Sequence, residues 1–274
     1  MAKNIQLVVI DPQNDFCDPD KGALYVKGAE NDMSRLANLV NSYGDKLSDI
    51  HVTMDSHHLI HVANPIYWKD SAGNHPAPFT IITAQEVRDG VWTTTRPNWL
   101  RHTRKDFGAL DYLEALERNG KYPLCIWPPH CLIGHWGHNI FPELLTALDN
   151  WEEKEFAAVN YVTKGSNYHT EHYSAISADV TDPTDHTTDI NKDFLQTLIE
   201  ADEILLSGEA GSHCLASTGR DCDAYFGDSS FVKKLVLLED TTSPVPTFEN
   251  LQDSFIKDMT AKGMRVTTVA DYLA

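Results

Sequence analysis

Basic residues are scarce in this 274-residue chain: 22 Lys and Arg stand against 40 Asp and Glu, a formal charge of −18 at pH 7. So acidic a surface repels a phosphate backbone, which excludes nucleic acid as a partner. No apolar run is long enough to cross a bilayer, and the chain enters a strand-like run at Ile5 without a basic, apolar leader. Five cysteines, at positions 17, 125, 131, 214 and 222, form an odd set with no CxxC pair, which argues against a disulfide framework or a structural zinc cluster. The expectation is a soluble, cytoplasmic protein of a reducing compartment, with no membrane partner. A glycine-rich loop is missing as well. Pro12-Gln13-Asn14 follows the first apolar run, so no phosphate-cradling nucleotide site is expected there.

What is present is an alternation of short β-rich runs with amphipathic segments. Strands are expected at 6–10, 51–54, 124–127, 158–163, 204–208, 235–238 and 266–269, and helices at 31–43, 109–119, 139–150, 191–201, 214–226 and 247–263. Near-continuous apolar strands alternating with helices imply the α/β class: three layers, with a mainly parallel central sheet of roughly six strands covered on both faces. The chain reads as a single domain, 1–274, with an insertion at about 62–121 that carries Trp68, Phe79, Trp92 and Trp99. That insertion reads as a lid, a dimer contact or a surface excursion packed on its own aromatics. A second excursion, 179–189, rich in Asp and Thr, reads as a solvated loop.

In such sheets the ligand crevice lies beyond the carboxyl ends of the strands. Residues just past five consecutive candidate strands are Asp11; Asp55 with His57; Trp127 through His130; Lys164; and, after the turn 210–213, Cys214. A thiol at a helix N-terminus meets unpaired N–H groups and the positive end of the helix dipole, which favour thiolate; the alternative is a buried structural cysteine. Asp11, Lys164 and Cys214 together make a proton acceptor, a cation and a nucleophile, a workable acyl-transfer set in which the lysine is expected to keep both partners ionised. Asp55, His57 and His130 supply one carboxylate and two imidazoles, a donor set suited to zinc, manganese or iron with open positions. Asp-x-His is a weak signal, and a surface histidine is the competing reading for His57.

At this point the residues resemble a family, the nicotinamidase/pyrazinamidase branch of the isochorismatase-like cysteine hydrolases. Asp11-Pro12-Gln13-Asn14-Asp15-Phe16 is similar to its D-x-Q-x-D-F motif, Asp55-Ser56-His57 with His61 to D-W-H-P-x-x-H, and Trp127-Pro128-Pro129-His130-Cys131 to W-P-x-H-C. Lys164-Gly165 with Glu171-His172-Tyr173-Ser174 resembles K-G-x(5)-D-x-Y-S, and Gly208 through Cys214 resembles G-x-A-T-x-x-C. The likeness runs from about residue 5 to 273. It implies Asp11, Lys164 and Cys214 as catalytic residues, and Asp55, His57 and His130 as ligands of one divalent metal, zinc first. It further implies a cis peptide between Glu209 and Ala210, an oxyanion hole from the N–H groups of Ala210 and Cys214, and Phe16 and Trp127 as ring-binding walls whose alternative role is core packing. The implied activity is hydrolysis of nicotinamide or a related aromatic amide through a thioester, in a homo-oligomer. Metal-free ureido or carbamoyl hydrolases of the same fold, and a silent ligand-binding homologue, are the alternatives. Ser56, His58, His135, Glu209 and Gly211 depart from the family pattern.

Overall fold

The computed structural model describes residues 3–100, 107–227 and 229–274. Its strands are β1 (Ile5–Ile10), β2 (Asp49–Asp55), β3 (Trp68–Lys69), β4 (Ile81–Ile82), β5 (Thr93–Thr94), β6 (Leu124–Cys125), β7 (Asn160–Lys164), β8 (Glu203–Gly208), β9 (Leu235–Leu238) and β10 (Arg265–Thr267). Its helices are α1 (Asn14–Cys17), α2 (Ala29–Tyr43), α3 (Ala84–Arg88), α4 (Ala109–Asn119), α5 (Pro142–Glu155), α6 (Lys192–Glu200), α7 (Cys214–Phe226), α8 (Ser229–Val232), α9 (Glu249–Lys262) and α10 (Val269–Leu273).

Six strands form one sheet in the order β10-β9-β8-β1-β2-β7, and every pairing in it is parallel. The middle strands β1 and β8 and their neighbour β9 bury every residue, as a sheet covered on both faces requires. On one side α2 packs against α5 and α10; elsewhere α7 packs against α8 and α9. The expected α/β class and parallel sheet are therefore observed. No helix among the described residues is long and apolar enough to cross a membrane.

Register is what positions the rim. Ile10 pairs with Gly208, so Asp11 and Glu209 leave the sheet side by side, and Asp55 pairs directly with Lys164. Four adjacent strands, β8, β1, β2 and β7, thus end along one edge. A slip of one residue in any of them would turn its side chains to the opposite face.

Three expectations need correction. The run 124–127 is not a strand of the main sheet: only Leu124–Cys125 is extended, and it pairs antiparallel with β4 in a separate ribbon. Its apolar character, buried in both cases, could not reveal which partner it takes. Helix α5 begins at Pro142 rather than 139, because proline lacks an N–H and suits the first turn. The 179–189 segment is not merely solvated, since Asp179, Asp182 and Thr188 are buried and Asn167 Nδ2 donates to both Asp182 and Asp185.

Within the insertion, Tyr67 and Trp68 are fully buried and Trp99 stacks on Tyr67 at 4.9 Å between ring centroids. Phe79 reaches the edge of Trp127 at 5.7 Å. Residues 101–106 of this segment lie outside the described residues.

Helix α7, which begins with Cys214, is seated by a close contact: a Cβ placed at Gly219 would lie 2.8 Å from the ring of Phe255 on α9. Replacing fully buried Phe255 by Ala should lower unfolding free energy by about 3–5 kcal/mol, the usual cost of deleting a buried aromatic ring. Urea titration followed by circular dichroism measures it, and a loss below about 1 kcal/mol would show that α7 is not held in this way.

Candidate active site

Asp11 follows β1 with φ at +42°, a left-handed conformation that a non-glycine residue holds only when its surroundings enforce it. Its N–H donates to Thr53 Oγ1 at 3.0 Å, and that hydroxyl donates back to Asp11 Oδ1 at 2.5 Å. Two further residues of the first motif act as struts. Gln13 spans to the backbone of Asp55, accepting its N–H at 2.7 Å and donating to its carbonyl at 2.8 Å. Asp15 accepts the Cys131 N–H at 2.7 Å and so ties down the loop that carries His130.

Lys164 joins the nucleophile group. Its Nζ lies 2.8 Å from Asp11 Oδ2, 3.1 Å from Asp55 Oδ1 and 3.7 Å from Cys214 Sγ, and donates to the His172 carbonyl at 3.0 Å. All four side chains are buried. The structure therefore brings Asp11, Lys164 and Cys214 together. Burial pushes the Cys214 thiol well above the usual range; Lys164 opposes this, while Asp11 and Asp55 add to it. Burial also raises Asp11 against the pull of Lys164. Without a cation, desolvation of the fully enclosed sulfur outweighs the pull of Lys164 and favours the thiol over the thiolate. Asp11 Oδ2 takes no well-aligned hydrogen bond from the described residues and is placed to receive that proton.

Beside this group, Asp55, His57 and His130 present donor atoms that all lie within 4.8 Å of one another. Asp55 Oδ2 is 2.8 Å from His57 Nε2 and 3.6 Å from His130 Nε2. The opposite ring nitrogens face backbone carbonyls, His57 Nδ1 at Gly165 O (3.1 Å) and His130 Nδ1 at Pro128 O (2.8 Å). With Nδ1 protonated for those bonds, each neutral imidazole turns an Nε2 lone pair toward one carboxylate oxygen. Only a proton or a cation relieves that arrangement, and the carbonyl-oriented histidines are the usual support of a metal site. Without a cation, burial would lower His57, but Asp55 outweighs it and holds the imidazole up to about 9. Gly165 is required here: its φ is +82°, and a Cβ would stand 2.7 Å from Asp55 Oδ1. The three residues fit a divalent metal.

A narrow cavity of about 20 Å³ opens on Cys214 between Phe16, Trp127, Tyr173 and His213, with His130 and Glu171 on its wall. Phe16 and Trp127 are nearly fully buried, and Trp127 Nε1 donates to Tyr173 at 2.9 Å, so both residues pack in the core and line the cavity. The Glu209–Ala210 peptide is cis. Neither the Ala210 nor the Cys214 N–H donates to another group among the described residues. A larger depression lies at the amino ends of β1 and β8, bounded by Lys3, Glu203 and Arg265, and no cysteine or histidine lines it.

Three contributors were not singled out from the sequence. Glu171, buried with Oε2 unpartnered, and His213, whose Nδ1 lies 2.8 Å from Ser212 Oγ, line the cavity. The His61 ring lies 4.3 Å from that of His57, tilted by 51°, and His61 groups with His57 and Glu171 as a second set of close donors. Glu171 stands seven residues after Lys164 within a quoted motif, so a signal existed; His213, one residue before the nucleophile, gave none beyond adjacency.

No family model matches the chain, and no curated protein matches it. Solved structures do. The yeast nicotinamidase aligns with a TM-score of 0.64 over 96% of this chain and 99% of its own, at 22% identity. The fold is that of the nicotinamidases and pyrazinamidases. A nicotinamidase/pyrazinamidase of Acinetobacter baumanii gives 0.62 over 98% of both chains at 20% identity. The Pyrococcus horikoshii pyrazinamidase, solved in complex with zinc, gives 0.55 over 97% of this chain and 99% of its own at 15% identity.

Two outcomes follow from this geometry. His57→Ala or His130→Ala should cut metal content, read by elemental analysis of the purified protein, whereas Cys214→Ala should leave it unchanged; full metal content in both histidine variants would remove the assignment. In chelator-treated protein, Cys214 should react with iodoacetamide more slowly at neutral pH than free cysteine, because a raised thiol holds less thiolate there, and Lys164→Met should slow it further. Peptide mass spectrometry follows the modified residue, and faster alkylation of either protein would show that the thiol is not held protonated.

Proposed function

We propose that this chain is a metal-assisted cysteine amidohydrolase that converts nicotinamide, or a closely related heteroaromatic amide, to the acid and ammonia. The observation that carries the proposal is the single buried ammonium of Lys164 in contact with Asp11, Cys214 and Asp55, the last of which also faces His57 and His130. A general base, a nucleophile and a ligand set sharing one wall of an aromatic-lined cavity suit attack on a flat amide. The solved structures add to this: the similar yeast enzyme is described bound to the inhibitor nicotinaldehyde, and the Leishmania infantum protein in complex with nicotinate.

The ring lies between Phe16 and Trp127 with its carboxamide at Cys214. As sulfur attacks the carbonyl carbon, Asp11 takes the thiol proton, and the N–H groups of Ala210 and Cys214 receive the charge that develops on oxygen. Asp11 then gives that proton to the departing nitrogen. The C–N bond breaks, ammonia leaves, and a thioester remains on Cys214. Water enters, Asp11 accepts its proton, and the second tetrahedral species collapses to the acid with the thiol restored. Lys164 stays charged throughout and lowers the energy of every state in which sulfur or Asp11 is negative. Held by Asp55, His57 and His130, a divalent cation supplies Lewis-acid charge at the cavity wall. We take zinc as that cation, in keeping with the zinc complex of the Pyrococcus protein and with a one-carboxylate, two-imidazole set.

Cys214→Ala should abolish ammonia release from nicotinamide and pyrazinamide, and chelation should lower the rate of the unaltered protein until zinc is restored. Release from a ureido compound that ignores chelator, with none from the two aromatic amides, would replace this reading by that of a metal-free ureidohydrolase.

A further inference from the structure

Behind the nucleophile turn lies a group of polar side chains that the acyl-transfer scheme leaves unused. Glu209 is fully buried. Its Oε2 accepts the Ser243 N–H at 3.1 Å, while Oε1 accepts no hydrogen bond from the described residues and the side chain meets the carboxylate of Asp32 on α2. Asp32 is buried too, and accepts Ser243 Oγ at 2.6 Å and Arg35 Nη2 at 2.7 Å. The segment that carries Ser243 also reaches the turn directly: Gly211 N–H donates to the Ser243 carbonyl at 2.9 Å, and Val245 N–H donates to Ser212 Oγ at 3.0 Å. There is no slack at this contact, because a Cβ at Gly211 would stand 2.8 Å from Thr242 Oγ1.

Two buried carboxyl groups in contact cannot both ionise cheaply, and one proton between them turns repulsion into a charge-assisted hydrogen bond. The other groups facing Glu209 do not supply the missing positive charge. Glu30 on α2 is acidic, Cys17 at the end of α1 is a buried thiol, and Arg35 is already engaged by Asp32 and the Asp240 carbonyl. Burial first, and Asp32 second, push the Glu209 carboxyl well above the carboxylate range.

We propose that Glu209 is a positioning residue that remains protonated and donates to Asp32, so that one shared proton clamps the 239–245 segment onto the turn and fixes the aim of the Ala210 and Cys214 N–H groups. The proposal rests on the amidase reading for its kinetics but not for its binding arm. It assigns a role to the glutamate that departs from the family pattern, and it makes the oxyanion hole depend on α2, which contributes no residue to the cavity.

The test uses the zinc-loaded chain with Glu209→Gln, Glu209→Met and Ser243→Ala. Glutamine offers an N–H to Asp32 and a carbonyl to Ser243, where a protonated glutamate offers an O–H and a carbonyl; methionine has similar length and neither a donor nor a carbonyl. Readouts are kcat and KM for nicotinamide, and affinity for nicotinaldehyde, whose adduct with the thiol places an oxyanion in the hole, against nicotinate, which forms no adduct. Glutamine should keep kcat within about threefold of the unaltered protein. Methionine should lower kcat by about tenfold or more at nearly constant KM, short of the ~10²–10³-fold typical of outright loss of an oxyanion donor. It should weaken aldehyde binding by a similar factor and leave nicotinate binding unchanged. If the methionine variant does not fold, Ser243→Ala, which removes only the hydroxyl bond to Asp32, is read in the same way with a several-fold effect. Glutamine as damaging as methionine, methionine without effect, or equal losses of aldehyde and nicotinate binding would each overturn the proposal. An unaltered protein that binds the aldehyde but releases no ammonia would defeat the amidase reading alone, and the aldehyde affinities would still decide this one.

Discussion

An ammonium withdrawn from water costs several kcal/mol unless it is paired and fully hydrogen-bonded, and the Lys164 side chain is only 1% exposed. Every group around it meets that requirement. Asp11 and Asp55 pair with it, and the His172 carbonyl takes one of its protons. Two carboxylates around one ammonium leave an excess of negative charge, and Asp55 directs it outward: Oδ1 faces Lys164, while Oδ2 faces His57 and His130. A divalent cation at the imidazoles would balance what the lysine leaves over. The nucleophile group and the metal-ligand group are therefore one electrostatic unit with Asp55 as the shared member, and neither half can be altered without changing the charge felt by the other.

The sheet holds this unit with little freedom. Asp55 and Lys164 are register partners on β2 and β7, and Asp11 leaves β1 beside the turn that ends at Cys214. Charges set on paired strands keep their separation as long as the ladder holds, which is tighter placement than loops provide. His130 is the exception, since it comes from a loop outside the sheet. Gln13, bonded to Asp55 and to the His138 carbonyl, and Asp15, bonded to Cys131, hold that loop against the rim. The polar residues of the first motif thus serve mainly as struts, and Asp11 is their chemical member.

Much of this was legible in the sequence because it is local. Unbroken apolar runs marked the buried strands, and the first residue past each one marked the rim; α4 and α7 begin and end where their apolar periodicity does. What could not be read depends on distant partners. Leu124–Cys125 looks like any other buried strand until β4 is seen to claim it. The protonation of Cys214 turns on how completely the fold excludes water, a three-dimensional quantity that helix-terminus reasoning cannot supply. Glu209 read only as an odd residue in a turn, because Asp32, 177 positions away in sequence, gives it meaning.

Burial that pushes the Cys214 thiol upward changes what Lys164 would contribute to the proposed reaction. Had the lysine generated a resting thiolate, much of its attraction would be realised before substrate bound, and a ground state so stabilised gains nothing in rate. Here burial opposes the thiolate until the amide arrives. In the proposed reaction negative charge would appear on sulfur and next on the carbonyl oxygen while the proton passes to Asp11, so that the lysine charge and the two N–H groups would act on charge that exists only along the reaction path. Under that scheme enclosure of the sulfur would shift its electrostatic support from the resting state to the transition state.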